Sequence, residues 1–140
     1  MAGAVLAACG GSDDGADEIG FSTVEASAFS GITTATTVVV SSASDWEPLW
    51  ASHARFRIPP PPVPVVDFSR HQLLALFLGG RPNGCYGVEI RRVLDDGQRR
   101  TVVYAESEPG PTMLCSAVAT SPMQIVRVTA SPLPVVFRRE

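Results

Sequence analysis

Three cysteines, two histidines and a few carboxylates carry most of the reactive chemistry in this 140-residue chain. Cys85 and Cys115 admit two readings. In an oxidising compartment, two cysteines on strands of one sheet tend to pair. A bridge closing about 30 residues would constrain the unfolded chain by roughly 3–4 kcal/mol in the loop-entropy model. Alternatively, one thiol is a nucleophile, with His53 or His71 as base and an acid such as Asp67. No sequence typical of a catalytic thiol surrounds either cysteine, and His53 falls on the apolar face of an expected helix. The disulfide is therefore favoured. A metal site needs three or four converging ligands, and two histidines without a short spacing are a poor start. Gly79-Gly80 and Gly84 lack the order of a phosphate loop, and the chain has no Lys. Asp95-Asp96-Gly97 reads as a hairpin turn before it reads as a calcium ligand. No catalytic residue, metal or cofactor is assigned.

The third cysteine has a different setting. Leu6-Ala7-Ala8-Cys9 resembles the bacterial lipobox, in which small residues admit the signal peptidase and the Cys thiol becomes a thioether to diacylglycerol. Residues 1–9 are read as this signal and residues 10–18 as a flexible acidic tether, small and without core formers. A signal peptide wants a basic n-region and a longer apolar stretch than stands before Cys9. The natural leader is therefore expected to begin upstream of Met1 or to have been trimmed. Residues 19–140 are expected to form one domain.

Composition bounds the rest. Hydrophobic residues make up 45% of the chain, enough for a real core, and charged residues only 18%. Eleven cations, all Arg, face fourteen anions, and no basic stripe marks a nucleic-acid binder. No apolar run approaches the roughly 20 residues that span a bilayer. Val, Ile and Thr together supply 31 residues, and Gly and Pro a further 24, which favours strands punctuated by turns.

The elements that must position these side chains follow from local patterns. Strands are expected at Ile19–Glu25, Thr33–Ser42, Gln72–Leu78, Cys85–Leu94, Thr101–Glu106, Leu114–Thr120, Gln124–Thr129 and Pro134–Arg138. The apolar run QLLALFL at Gln72–Leu78 reads as a strand buried on both faces. Ser44-Asp45-Trp46-Glu47 has the form of a capping box and predicts a helix to about Phe56. Trp46, Leu49, Trp50 and His53 share its docking face, and Pro48 is expected in its first turn. Ile58–Pro64 (IPPPPVP) must be extended and is read as a stiff connector from helix back to sheet. The fold class is mainly β, an antiparallel sandwich or sheet of about eight short strands with one helix packed on it.

The order of motifs is familiar. Trp46-x-x-x-Trp50, Val66-Asp67-Phe68, Leu76-Phe77-Leu78-Gly79, Arg81-Pro82-Asn83-Gly84-Cys85-Tyr86, Glu108-Pro109-Gly110 and Ser121-Pro122 before Ile125-Val126-Arg127-Val128 together resemble the PrcB C-terminal domain family over roughly residues 32–137. In that family the turn usually reads Thr-Gly-Gly-Tyr. Here Cys85 replaces the second Gly, which supports a Cys85–Cys115 bridge. The family is named for a lipoprotein subunit that binds and stabilises a surface serine-protease complex. The resemblance implies a non-enzymatic lipoprotein of the bacterial cell envelope with a protein-binding domain, anchored to the membrane by lipid only, whose partner is a protease complex.

The helix face and QLLALFL are committed to the core, which leaves the loops as the expected partner surface. The candidate residues are Arg81, Pro82, Asn83, Gly84 and Tyr86, with Pro109 and Gly110 across from them; Arg and Tyr are enriched at hot spots. The alternative function is a loop-presenting protease inhibitor or a small-ligand module, which a deep apolar pocket near Trp46 and Trp50 would favour. Expressed with its complete native leader, the protein is expected to partition into detergent phase and Cys9→Ala to release it. Equal solubility of the two would refute the lipobox.

Overall fold

A strand that is apolar at every position needs a layer on each of its faces, because alternate side chains point to opposite sides. The computed structural model, which describes residues 15–140, supplies both layers. The elements are β1 (Asp17–Ile19), β2 (Ser22–Ser27), β3 (Thr36–Val40), α1 (Ala43–His53), β4 (His71–Phe77), β5 (Gly87–Asp95), β6 (Arg100–Ser107), β7 (Met123–Thr129) and β8 (Val135–Arg139). They form two four-stranded sheets, ordered β1-β5-β6-β8 and β2-β7-β4-β3. All pairings are antiparallel except β6 with β8, which is parallel.

β4 lies inside the second sheet. Leu73, Ala75 and Phe77 pack with Ile125, Trp46 and Trp50 of the helix layer. Leu74 and Leu76 pack with Val126, Ile90, Val93 and Val102 against the first sheet. The fold is thus a sandwich with a helix over one outer face. Two polar links fix the sheets against each other. Arg100, 2% exposed, forms a bidentate pair with Asp95 (2.7 and 2.9 Å) and also donates to Gln72 Oε1 on β4 and to Thr129 O. Gln124 on β7 accepts from the Ile90 N–H beside a bulge in β5.

The helix docks through Trp46, Trp50 and His53. Buried indoles need acceptors. Trp46 Nε1 donates to Pro64 O (2.8 Å) and Trp50 Nε1 to Pro61 O (3.0 Å). A proline-rich strap has carbonyls to offer and few N–H groups of its own, so it suits two donor-only side chains.

Local expectations fail in several places. The strand expected at Ile19–Glu25 is two strands, β1 and β2, in different sheets, with Gly20-Phe21 making the crossing. The N-cap is Ser42, which accepts from Asp45 N, so the capping-box reading of Ser44 is two residues late. Pro48 then sits sixth in the helix rather than in its first turn. The Ser44 carbonyl it leaves unbonded lies on the exposed side. The helix ends at His53, short of Phe56. Leu114–Thr120 is not a strand; only Thr120 forms an isolated bridge, with Arg81. The lipobox and most of the acidic tether lie outside the described residues.

Leu74→Ala empties volume between the two sheets and is expected to cost about 2–5 kcal/mol of unfolding free energy. Trp50→Phe removes one indole donor from the strap and is expected to cost closer to 1 kcal/mol. Urea denaturation should rank them in that order; the reverse ranking would contradict the two-faced burial of β4.

Candidate functional site

The register of the first sheet decides which loops meet. Gly87 opens β5 opposite Ser107, which closes β6. Segments 78–86 and 108–122 therefore leave the same end of the molecule. A Cys85–Cys115 disulfide joins them, with Cα atoms 5.4 Å apart. Neither cysteine is on a strand, contrary to expectation. The bridge is reinforced by backbone pairing: Arg81 and Thr120 exchange N–H···O bonds of 2.8 and 2.9 Å, and Gly84 N donates to Ser116 O at 3.2 Å. Thr120 Oγ1 donates to Asn83 O, and Asn83 Oδ1 accepts from Cys85 N. A Cβ on Gly84 would meet Ser116 Oγ and require that hydroxyl to turn aside. Gly79 turns the chain out of β4 at φ +84°, where an added Cβ would lie 2.8 Å from Ala35 N, so this position resists substitution.

The other sheet contributes from the same end. Ser121 is bridged to Phe29, Ser30 N donates to Ser121 O, and Gly80 N donates to Thr33 O. Between these loops lies a cleft of about 530 Å³, with Phe29, Thr33, Phe56, Arg81, Ala119 and Thr120 among its walls. Phe29 is 61% and Phe56 68% exposed. Arg81 is half-buried; its guanidinium donates to Gly80 O at 3.0 Å and lies 5.8 Å from the Tyr86 ring centroid. Among the described residues no carboxylate pairs with it. Of the expected partner residues, Arg81, Asn83, Gly84 and Tyr86 are thus drawn together, with Pro82 exposed between them. Pro109 and Gly110 belong to the bridged loop but do not line the cleft. The hollow beside Trp46 and the strap is smaller, about 220 Å³.

Behind the cleft sits a cluster that local sequence reading does not reveal. His53, 1% exposed, contacts Ser30 Oγ through Nδ1 (2.9 Å) and Glu25 Oε2 through Nε2 (2.7 Å). Arg57 Nη2 reaches the same Glu25 oxygen at 2.7 Å. A Ser–His–Glu series resembles a hydrolase triad, but a triad also needs N–H groups free to hold an oxyanion. The amides of Ser30, Gly31 and Ser121 are bonded to Ser121 O, His53 O and Ala28 O, and that of Ile32 to Ser30 Oγ. The cluster therefore reads as a clamp. It ties β2, the β2–β3 loop and the end of α1 beneath the cleft. The only sequence signal for it was a histidine on the buried face of a helix.

The side chains weighed for thiol chemistry do not converge. Cys85 is in the disulfide. His71 opens β4 at the end opposite Phe77, and its buried Nδ1 has no hydrogen-bond partner among the described residues. Asp67 is capped by Ser69, whose hydroxyl and then amide hold its carboxyl below the usual range. Asp96 is likewise held low by the Gln98 and Arg99 amides in the hairpin turn, while Asp95 grips Arg100. No group of three or more metal-capable side chains occurs among the described residues.

Free-thiol labelling of the native protein is expected to find neither Cys85 nor Cys115 reactive. Replacing both by Ser is expected to lower stability by about 3–4 kcal/mol. A thiol that labels rapidly in the native state would restore the nucleophile reading.

No curated protein and no solved structure matches the chain. The model of the PrcB C-terminal family matches residues 73–129, a narrower span than the motif resemblance. That span runs from β4 to β7 and includes both bridged loops. Over these residues the chain is similar to the PrcB C-terminal family.

Proposed function

We propose that this chain is a non-enzymatic lipoprotein of the bacterial cell envelope, and that its PrcB-like domain binds and stabilises a protein partner through the loop end. The family resemblance supports a surface protease complex as that partner. The observation that carries the reading is the loop end itself. It is a bridged and backbone-paired platform that presents Arg81, without a carboxylate partner among the described residues, over Tyr86 and beside an apolar cleft. Pre-ordered loops lose little entropy on binding, and Arg and Tyr are frequent hot-spot residues.

The placement of the N-terminal side supports the same reading. β1 pairs Asp17 with Asp95, at the end of β5 away from Gly87. A lipid anchor at Cys9 would join the domain at that end and leave the loop end facing away from the membrane. The alternative, a loop-presenting protease inhibitor or small-ligand module, draws on the size of the cleft, which falls within the range of ligand pockets.

Pull-down from envelope extract with wild type, Arg81→Ala and Tyr86→Ala is the test, each variant first checked for folding. Recovery of a protein partner is expected to fall about tenfold or more for Arg81→Ala, the equivalent of about 1.4 kcal/mol. Unchanged recovery by both folded variants would move the site elsewhere, first to the strap at Pro59–Pro64.

A further inference from the structure

We infer that the loop-end cleft takes a short peptide segment in which an apolar side chain is followed at once by a carboxylate. The apolar group would sit between Phe29 and Phe56, and the carboxylate on Arg81. This rests on the protein-binding reading and names the chemistry that the partner must offer.

Three observations converge on that chemistry. The first is apolar surface without a core role. Phe29 and Phe56 come from different segments and stay largely exposed, yet both face the cleft. The second is the state of the floor. The N–H groups of Ser30, Gly80, Arg81, Thr120 and Ser121 all donate to backbone carbonyls of this chain. At these five positions a partner finds no main-chain donor on which to add a strand, which leaves recognition to side chains. The third is charge. Arg81 has no carboxylate partner among the described residues, and neither has Arg55, whose guanidinium lies 4.6 Å from the Phe56 ring centroid. The nearby Glu25 carboxylate is already engaged by His53 and Arg57. Arg81 keeps most of its five N–H donors available, in a planar fork that matches a carboxylate. A lysine or arginine in the same position would meet like charge.

The test uses acetyl-Ser-Leu-Phe-Asp-Ser-amide and its Asn and Lys analogues, titrated into ¹⁵N-labelled protein. Amide shifts are expected at Gly80, Arg81, Thr120, Ser121 and Phe56. The Asp peptide should bind about fivefold more tightly than the Asn peptide, because a charge-assisted hydrogen bond is stronger than a neutral one. The Lys peptide should bind weakest. In Arg81→Gln the Asp and Asn peptides should become equal, while Phe56→Ser should weaken both by the same factor. Shifts elsewhere, no shifts at millimolar peptide, or an Asp preference that survives Arg81→Gln would each overturn the proposal. If Arg81→Ala abolishes partner recovery but the peptides do not bind, protein binding stands and this cleft chemistry falls. If the peptides bind as expected but no protein is recovered, the cleft chemistry stands and the protein-partner reading falls.

Discussion

β4 is buried on both faces, and the remaining architecture satisfies that demand. Its odd residues from Leu73 to Phe77 require a layer, which α1 provides, and its even residues require another, which the first sheet provides. The helix can serve only if its two indole donors are met, and the proline strap meets them without adding many donors of its own. The first sheet can serve only in one register, since Arg100 and Gln124 bridge the layers at fixed residues. The antiparallel register of β4 with β7 then brings Gly79–Arg81 beside Thr120–Ser121. The loop end is a product of that burial.

Rigidity at the loop end comes from several directions. The disulfide and the Arg81–Thr120 pair hold one side, the Phe29–Ser121 bridge the other, and His53 closes the underside. Burying an imidazole is costly unless its nitrogens are satisfied. Here Nε2 meets Glu25 and Nδ1 meets Ser30, so a polar residue can pack among aromatic rings. In the neutral ring, a proton on Nε2 leaves Nδ1 to accept from the Ser30 hydroxyl.

Features set by neighbouring residues were legible in the chain. QLLALFL, the Trp46–Trp50–His53 face and the Asp95-Asp96-Gly97 turn all stand close to where pattern places them. Features set by competition for a sheet edge were not. Leu114–Thr120 has the letters of a strand, but β6 is flanked by β5 and β8, and β7 by β2 and β4. No edge of either neighbouring strand is left for it, and the Cys115 bridge holds it among the loops. The parallel return of β8 is equally silent in sequence. The cleft draws Phe29, Phe56, Arg81 and Thr120 from four segments, and the clamp joins Ser30 and Glu25 to a histidine 23 and 28 residues away. No local period encodes such distances, whereas the Arg81 turn was found because Gly, Pro and Asn crowd into it.

β1 is only three residues long, yet its direction has a mechanical meaning. It runs antiparallel to β5, with its N-terminal residue beside the last residue of that strand. Tension between the N-terminal side and the bridged loops would draw β1 past Asp95 while drawing β5 the opposite way, past Gly87. The two strands would then slide against each other under load, and their cross-strand hydrogen bonds, which lie perpendicular to the strands, would share the force instead of parting one after another. A domain pulled between a surface and a bound partner would thus present its short edge strand in shear, the geometry in which a few hydrogen bonds resist best.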